Sequence, residues 1–164
     1  MTIPLQDPEL RLQHARDIAW RALNRRDRTV AELARLLAGK RVEPATIETV
    51  IAELLEQGYL DDARYAKRFA EDRRRLSAWG AERIERRLAA LGVDRELITE
   101  AVGEQAADEE LEAAVALLRR RFPDLPATTR DRDRALGVLV RKGYELELAH
   151  DALRRHAGVD AQPD

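Results

Sequence analysis

The segment Val42-Glu43-Pro44-Ala45-Thr46-Ile47-Glu48-Thr49-Val50-Ile51-Ala52-Glu53-Leu54-Leu55 decides the fold, because its pattern returns twice along the chain. Ile47, Val50, Ile51, Leu54 and Leu55 follow i, i+3, i+4, i+7, i+8 spacing, an apolar stripe about a third of the way around a helix. Pro44 sits in the first turn, where a missing N–H costs nothing, and Gly58 is a natural stop. At a period of 51 residues, Val42 becomes Val93 and then Tyr144, and Ile47 becomes Ile98 and Ala149. Val50, Ala101 and Ala152 keep the same register, as do Ile51, Val102 and Leu153. Upstream, Leu33, Ile84 and Ala135 form a fifth column, and Leu37, Leu88 and Leu139 a sixth. Six apolar columns in one register make an internal repeat.

Working outward, each repeat reads as three helices. Thr29 can cap a helix over 30–38, with Glu32 closing a capping box. Tyr65 and Phe69 stand one turn apart on a helix that Asp61 or Asp62 can cap. The first unit, 15–60, carries helices over about 15–26, 30–38 and 44–57; the second, 61–107, over about 62–75, 81–91 and 95–105. The third, 108–157, carries them over about 109–121, 130–141 and 146–156, with Pro123 and Pro126 in a solvent loop. Residues 1–14 and 158–164 read as tails, and no stretch alternates with the period of a strand. The expected fold is all-α: three tandem three-helix repeats packed into an elongated, curved, solenoid-like body, since each unit alone is marginal.

Composition narrows the function. The 164 residues are 45 % hydrophobic and 37 % charged, with no long apolar run, so a membrane span is excluded and a cytoplasmic protein is expected. The absence of cysteine excludes disulfides, thiolate metal sites and cysteine nucleophiles. Ser77 is the only serine, in no nucleophile motif, and there is no phosphate-cradling glycine loop. His150 and His156 are six apart, the wrong spacing for two ligands on one helical face. Asp61-Asp62 and Glu109-Glu110 are adequately explained as caps and first-turn charges. The chain therefore reads as a non-enzyme without metal or cofactor.

The net charge of −2 conceals alternating blocks. Residues 11–41 carry nine basic and three acidic side chains, and 43–62 carry six acids and no base. Residues 64–91 are basic again by nine to four, 93–115 acidic by eight to one, and 119–142 basic by eight to three. All but three of the 29 basic residues are arginine, whose fork grips phosphate or carboxylate with two parallel bonds. The candidate binding face comprises Arg25, Arg26, Arg73, Arg74, Arg75, Arg83, Arg86 and Arg87. Arg83, Arg86 and Arg87 share a face offset from the Ile84–Leu88 stripe, so all three are expected to point to solvent and to meet a polyanion or an acidic protein surface. A solvated coat of helix-to-helix ion pairs, with Glu96, Glu100 and Glu104 as acids, is the competing reading. Trp20, Tyr65, Phe69 and Phe122 fall on apolar stripes and read as core, while Tyr59 and Trp79 lie in turns, where they cover the seams between helices or serve as exposed stacking platforms, seam packing being the favoured reading.

Gly58-Tyr59-Leu60-Asp61-Asp62-Ala63-Arg64-Tyr65-Ala66, followed by Trp79-Gly80-Ala81-Glu82-Arg83-Ile84-Glu85-Arg86-Arg87-Leu88 and Gly92-Val93, resembles the central signature of the RecX family, bacterial regulators of the RecA recombinase. Arg28-Thr29-Val30-Ala31-Glu32-Leu33 is similar to that family's first unit and Arg141-Lys142-Gly143-Tyr144 to its third. The resemblance implies a curved body of three helical repeats that docks along the groove of the RecA–single-stranded DNA filament. There it would restrain ATP hydrolysis, strand exchange and the stimulation of repressor self-cleavage in DNA repair and the SOS response. It also implies that Gly58, Tyr59, Leu60, Asp61, Asp62 and Tyr65 form the motif turn. The expected partner is the RecA filament, with single- or double-stranded DNA met through phosphates, no membrane, and a monomer in solution. An independent helix-turn-helix-like DNA-binding protein is the alternative; Asn24 as the only asparagine argues against base readout, though not against phosphate binding. A tetratricopeptide-type scaffold is disfavoured by the period, since those repeats are helix pairs of about 34 residues.

Overall fold

The computed structural model describes residues 7–158, which form nine α-helices and no strand. They are α1 (Pro8–Arg25), α2 (Val30–Gly39), α3 (Pro44–Glu56), α4 (Asp62–Ser77), α5 (Ala81–Ala90), α6 (Arg95–Gly103), α7 (Ala107–Arg121), α8 (Thr129–Lys142) and α9 (Leu146–His156). None is long and apolar enough to cross a membrane. Local chemistry sets the starts. The Thr29 hydroxyl accepts from the Glu32 amide while the Glu32 carboxylate accepts from the Thr29 amide, the reciprocal capping box. Asp61 caps α4 and Thr128 caps α8 through the amide three residues on. One boundary differs from expectation. Asp7 caps α1 and Pro8 opens it, so helix covers about half of the segment 1–14 read as a tail; residues 1–6 and 159–164 lie outside the described residues.

Packing follows the repeat. α1–α3 enclose one apolar cluster, α4–α6 a second and α7–α9 a third. The column Leu33, Ile84, Ala135 is wholly buried, as is the column Leu37, Leu88, Leu139. Second helices thus present the same two positions to three separate cores, which is why the period is so clear in the sequence.

The units are joined by one junction used twice. At the first seam the Thr29 hydroxyl donates to the Leu91 carbonyl at 2.6 Å, tying the start of α2 to the end of α5. One period on, the Gly80 amide donates to the Lys142 carbonyl at 2.8 Å, tying the start of α5 to the end of α8. Beside each bond, a carboxylate from the next unit's first helix takes the leading amide of the second helix. Asp62 accepts from Val30 at 2.9 Å, and Glu110 accepts from Ala81 at 2.8 Å. Orphan amides at helix starts are thereby satisfied across the seam. Repetition of one unit-to-unit contact is the defining property of a solenoid.

A single backbone column makes this approach possible. Arg41, Gly92 and Gly143 stand one period apart and all take positive φ, at 62°, 82° and 97°. A Cβ on Gly92 would come within 2.3 Å of the Ala31 Cβ, and one on Gly143 within 2.3 Å of the Arg83 Cβ. Glycine is therefore required twice, once for φ and once for space. Arg41, in the first unit, takes the same backbone conformation with an exposed side chain.

Candidate partner-binding groove

Between the first and second units lies a groove of about 740 Å³. One face of α4 supplies Tyr65, Arg68, Phe69, Asp72 and Arg73, at i, i+3, i+4, i+7 and i+8; Arg26, Asp27 and Glu32 close one side, and Trp79, Arg87 and Leu91 the other. The aromatics form a ladder. Tyr65 and Phe69 stack at 6.2 Å, and Phe69 meets Trp79 edge-to-face at 6.1 Å. The Arg73 guanidinium lies 5.2 Å from the Phe69 centroid and 5.3 Å from that of Trp79. Arg83 covers Trp79 at 4.1 Å, so the indole touches two cations.

All three groove acids are already engaged. Glu32 receives both Arg26 nitrogens, at 2.9 and 3.3 Å; burial would raise its carboxyl, but Arg26 and the Thr29 amide hold it below the usual range. Asp27 stands 3.8 Å from Arg68, and Asp72 pairs with Arg75 at 3.2 Å. Arg73 and Arg87 have no carboxylate within 4.0 Å among the described residues. The Arg73 Nε is buried without a hydrogen-bond partner. Two uncompensated guanidiniums beside three aromatic rings can clasp an acidic or phosphorylated surface while an apolar side chain seats on the rings.

The eight arginines of the expected basic face do not share one surface. Arg26, Arg73 and Arg87 meet in the groove. Arg25 points to a separate groove between α1 and α2. Arg74 turns inward, donates to the Val102 carbonyl at 2.7 Å and has its pKa lowered by burial. Arg75 is tied to Asp72, while Arg86 is exposed. Arg83 is half-buried rather than free in solvent: besides covering Trp79, it donates to the Arg141 carbonyl at 3.2 Å across the second seam. The acids Glu96, Glu100 and Glu104 pair with none of Arg83, Arg86 and Arg87; Glu104 instead lies 3.4 Å from Lys67. Arg68 and Phe69 were not among the expected binding residues, although the α4 spacing of aromatic and arginine contains the signal.

The motif turn is a connector between units. Gly58 takes φ 77° after α3, Leu60 is buried in the first core, and Tyr59 packs edge-to-face on Trp20 at 4.5 Å. Asp61 caps α4, and Asp62 reaches back to Val30; burial, with the neighbouring acids, raises the Asp62 pKa. Among the described residues no three acid or histidine side chains gather as a metal site.

Residues 15–54 match the family model of the RecX first three-helix domain, and residues 61–102 that of the second. The chain belongs to the RecX family. It is 37 % identical to the regulatory protein RecX of Trichlorobacter lovleyi over 134 residues, covering 79 % of this chain and 87 % of that one. It is 35 % identical to the regulatory protein RecX of Leptothrix cholodnii, covering 83 % and 85 %. The crystal structure of RecX from Lactobacillus salivarius superposes with a TM-score of 0.79 at 19 % identity, over 89 % of this chain and 96 % of that one, and shares the fold. The two matched RecX domains meet at the groove, so its walls come from both.

Proposed function

We propose that this chain is a non-catalytic inhibitor of the RecA recombinase. It binds the RecA–DNA filament in the cytoplasm and restrains its ATPase, strand-exchange and coprotease activities in DNA repair and the SOS response. The observation that carries the reading is the inter-unit groove, where Arg73 and Arg87 lack acidic partners beside Tyr65, Phe69 and Trp79. Tryptophan, tyrosine and arginine are the side chains that dominate macromolecular hot spots. Membership of a family whose relatives are named regulatory proteins supports the same direction. Mechanistically, a rigid repeat body that fits one filament state better than another shifts the filament toward that state, by differential binding alone. Steady-state ATP hydrolysis by RecA on single-stranded DNA should fall as the chain is titrated in, and the chain alone should hydrolyse none. Unchanged filament turnover at saturation sinks the inhibitor; turnover by the pure chain sinks the non-catalytic claim.

A further inference from the structure

The chain has three lysines, Lys40, Lys67 and Lys142, and the second seam sets Lys142 apart from the other two. The backbone around it is clamped to the second unit. The Arg141 carbonyl accepts from Arg83 at 3.2 Å, the Lys142 carbonyl from the Gly80 amide at 2.8 Å, and the Gly143 carbonyl from the Glu82 amide at 3.0 Å. The Tyr144 hydroxyl donates to the Ala78 carbonyl at 3.0 Å. On this fixed backbone the half-buried Lys142 side chain crosses the seam, and its Nζ donates to the Ser77 carbonyl at 2.8 Å, at the end of α4. Arg83 of α5 and the exposed Arg120 and Arg121 of α7 stand close enough to disfavour its charge. None of these four cations has a carboxylate within 4.0 Å among the described residues. Glu110, the acid of this seam, is taken by the Ala81 amide at 2.8 Å. Burial first, and then the three guanidiniums, hold the Lys142 ammonium below the usual lysine range. A larger share of this amine is therefore neutral and nucleophilic. Lys40 is exposed, and Lys67 is exposed and lies 3.4 Å from Glu104, an acid that repels an arriving anion.

We infer that Lys142 is a site of acylation by small acyl phosphates. Arg83, Arg120 and Arg121 form the cradle for the phosphate end of the reagent, since guanidinium forks grip phosphate oxygens in pairs. The ammonium first gives a proton to water. The Nζ lone pair then forms a bond to the acyl carbon, the bond from that carbon to the phosphate oxygen breaks, and phosphate leaves with the electron pair. The nitrogen loses its second proton to the departing phosphate or to water, and the balance needs no other reactant. The amide product keeps one N–H for the Ser77 carbonyl, so the modification deletes a cation without leaving the end of α4 unpaired. Repulsion among the four cations is relieved at the same time. The inference stands apart from the RecA reading: Lys142 takes the acyl group whether or not the chain inhibits the filament.

The test treats the full chain with acetyl phosphate, and in parallel with the uncharged ester p-nitrophenyl acetate. Peptide mass spectrometry reads the initial rate at each lysine. Acetyl phosphate should modify Lys142 at least about fivefold faster than Lys40 or Lys67, because a cluster of cations concentrates an anionic reagent. In the double variant Arg120→Gln, Arg121→Gln, the ratio of the acetyl phosphate rate to the ester rate at Lys142 should fall at least about threefold. Dividing by the ester rate cancels any change in the reactivity of the amine itself, which is all that a purely structural role of the arginines would alter. Melting of the same samples confirms that the variant is folded. In concentrated urea, where the seam is gone, the preference for Lys142 should disappear. A Lys142 rate no greater than that of Lys40 in the folded chain overturns the site. An unchanged reagent ratio in the arginine variant overturns the assignment to acyl phosphates. A preference that survives in urea also overturns the inference, because the neighbouring sequence alone would then account for it.

Discussion

Arg41 and Gly92 occupy the same place in successive repeats and share the left-handed backbone, yet only Gly92 faces a preceding unit. Arg41 carries an exposed side chain at this place in the repeat. Gly92→Ala and Gly143→Ala should each cost about 2–4 kcal/mol, combining left-handed strain with a Cβ driven into the preceding unit. Arg41→Gly should stay within about 1 kcal/mol of the parent, because relief of strain offsets added chain entropy. Urea denaturation checks all three, and a mild effect at Gly143 would contradict the close approach.

The second prediction concerns Thr29, which caps α2 and also donates across the first seam to Leu91. Thr29→Val keeps the shape and removes both interactions, leaving a carbonyl unpaired in a fully buried place. The expected cost is about 2–3 kcal/mol. Thr128 caps α8 in the same way but is exposed and spans no seam. Thr128→Val should therefore cost only about 1 kcal/mol. Equal losses at the two sites, measured by denaturation, would show that the inter-unit bond adds nothing.

These residues also mark what was legible beforehand. Leu33, Ile84 and Ala135 announced the helical repeat because burial on one face is a local, periodic property. The start of α1 at Pro8 was harder to read: Leu10 lies exposed, so the first turns show little apolar periodicity, and only the Asp7-Pro8 cap signalled them. Arginine fates were not legible. Arg25 and Arg26 are adjacent, but Arg25 closes α1 and Arg26 is already extended backbone, so they reach different grooves. Arg83 looked as free as Arg86 until the third unit's Arg141 carbonyl came within reach. Side-chain roles at seams depend on how units approach, which spacing within one unit cannot reveal.

Acidity gives a third prediction. Asp62 has a raised pKa because burial disfavours its charge, so the folded chain holds this proton more tightly than the unfolded chain does. Its contribution is therefore fully present below the ordinary aspartate range and is lost as pH rises through the elevated folded value. Asp62→Asn keeps an oxygen to accept from Val30 and cannot ionise. The melting temperature of the variant relative to the parent should rise between about pH 3 and pH 6 and then level off. Glu53 has the opposite sign: the Arg16 hydrogen bonds, at 2.9 and 2.7 Å, hold its carboxyl below the usual range. Glu53→Gln should accordingly lose most at neutral pH and approach the parent in acid. A pH-independent difference for either variant would refute the assigned sign.

The last prediction separates binding from stability in the central unit. Arg83 bridges Trp79 and the Arg141 carbonyl, so Arg83→Glu should lower the melting temperature by loosening the second seam. Arg87 is exposed on the groove wall without an acidic partner, and Arg68 is exposed with Asp27 only at 3.8 Å. Arg68→Glu with Arg87→Glu should leave melting nearly unchanged, since exposed substitutions usually stay within about 0.5 kcal/mol each. The same pair should weaken binding to the RecA–DNA filament at least about tenfold, the loss expected for anchors of a hot spot. Trp79 supplies an independent reading. In a Trp20→Phe background it is the only indole, and a filament seated in the groove must change its emission. Titration of RecA filament into that variant, with the Arg68 and Arg87 reversals added in a second series, checks both points. An emission change that survives the double reversal at unchanged affinity would move the filament contact elsewhere on the molecule, while leaving the role of Arg83 in the seam intact.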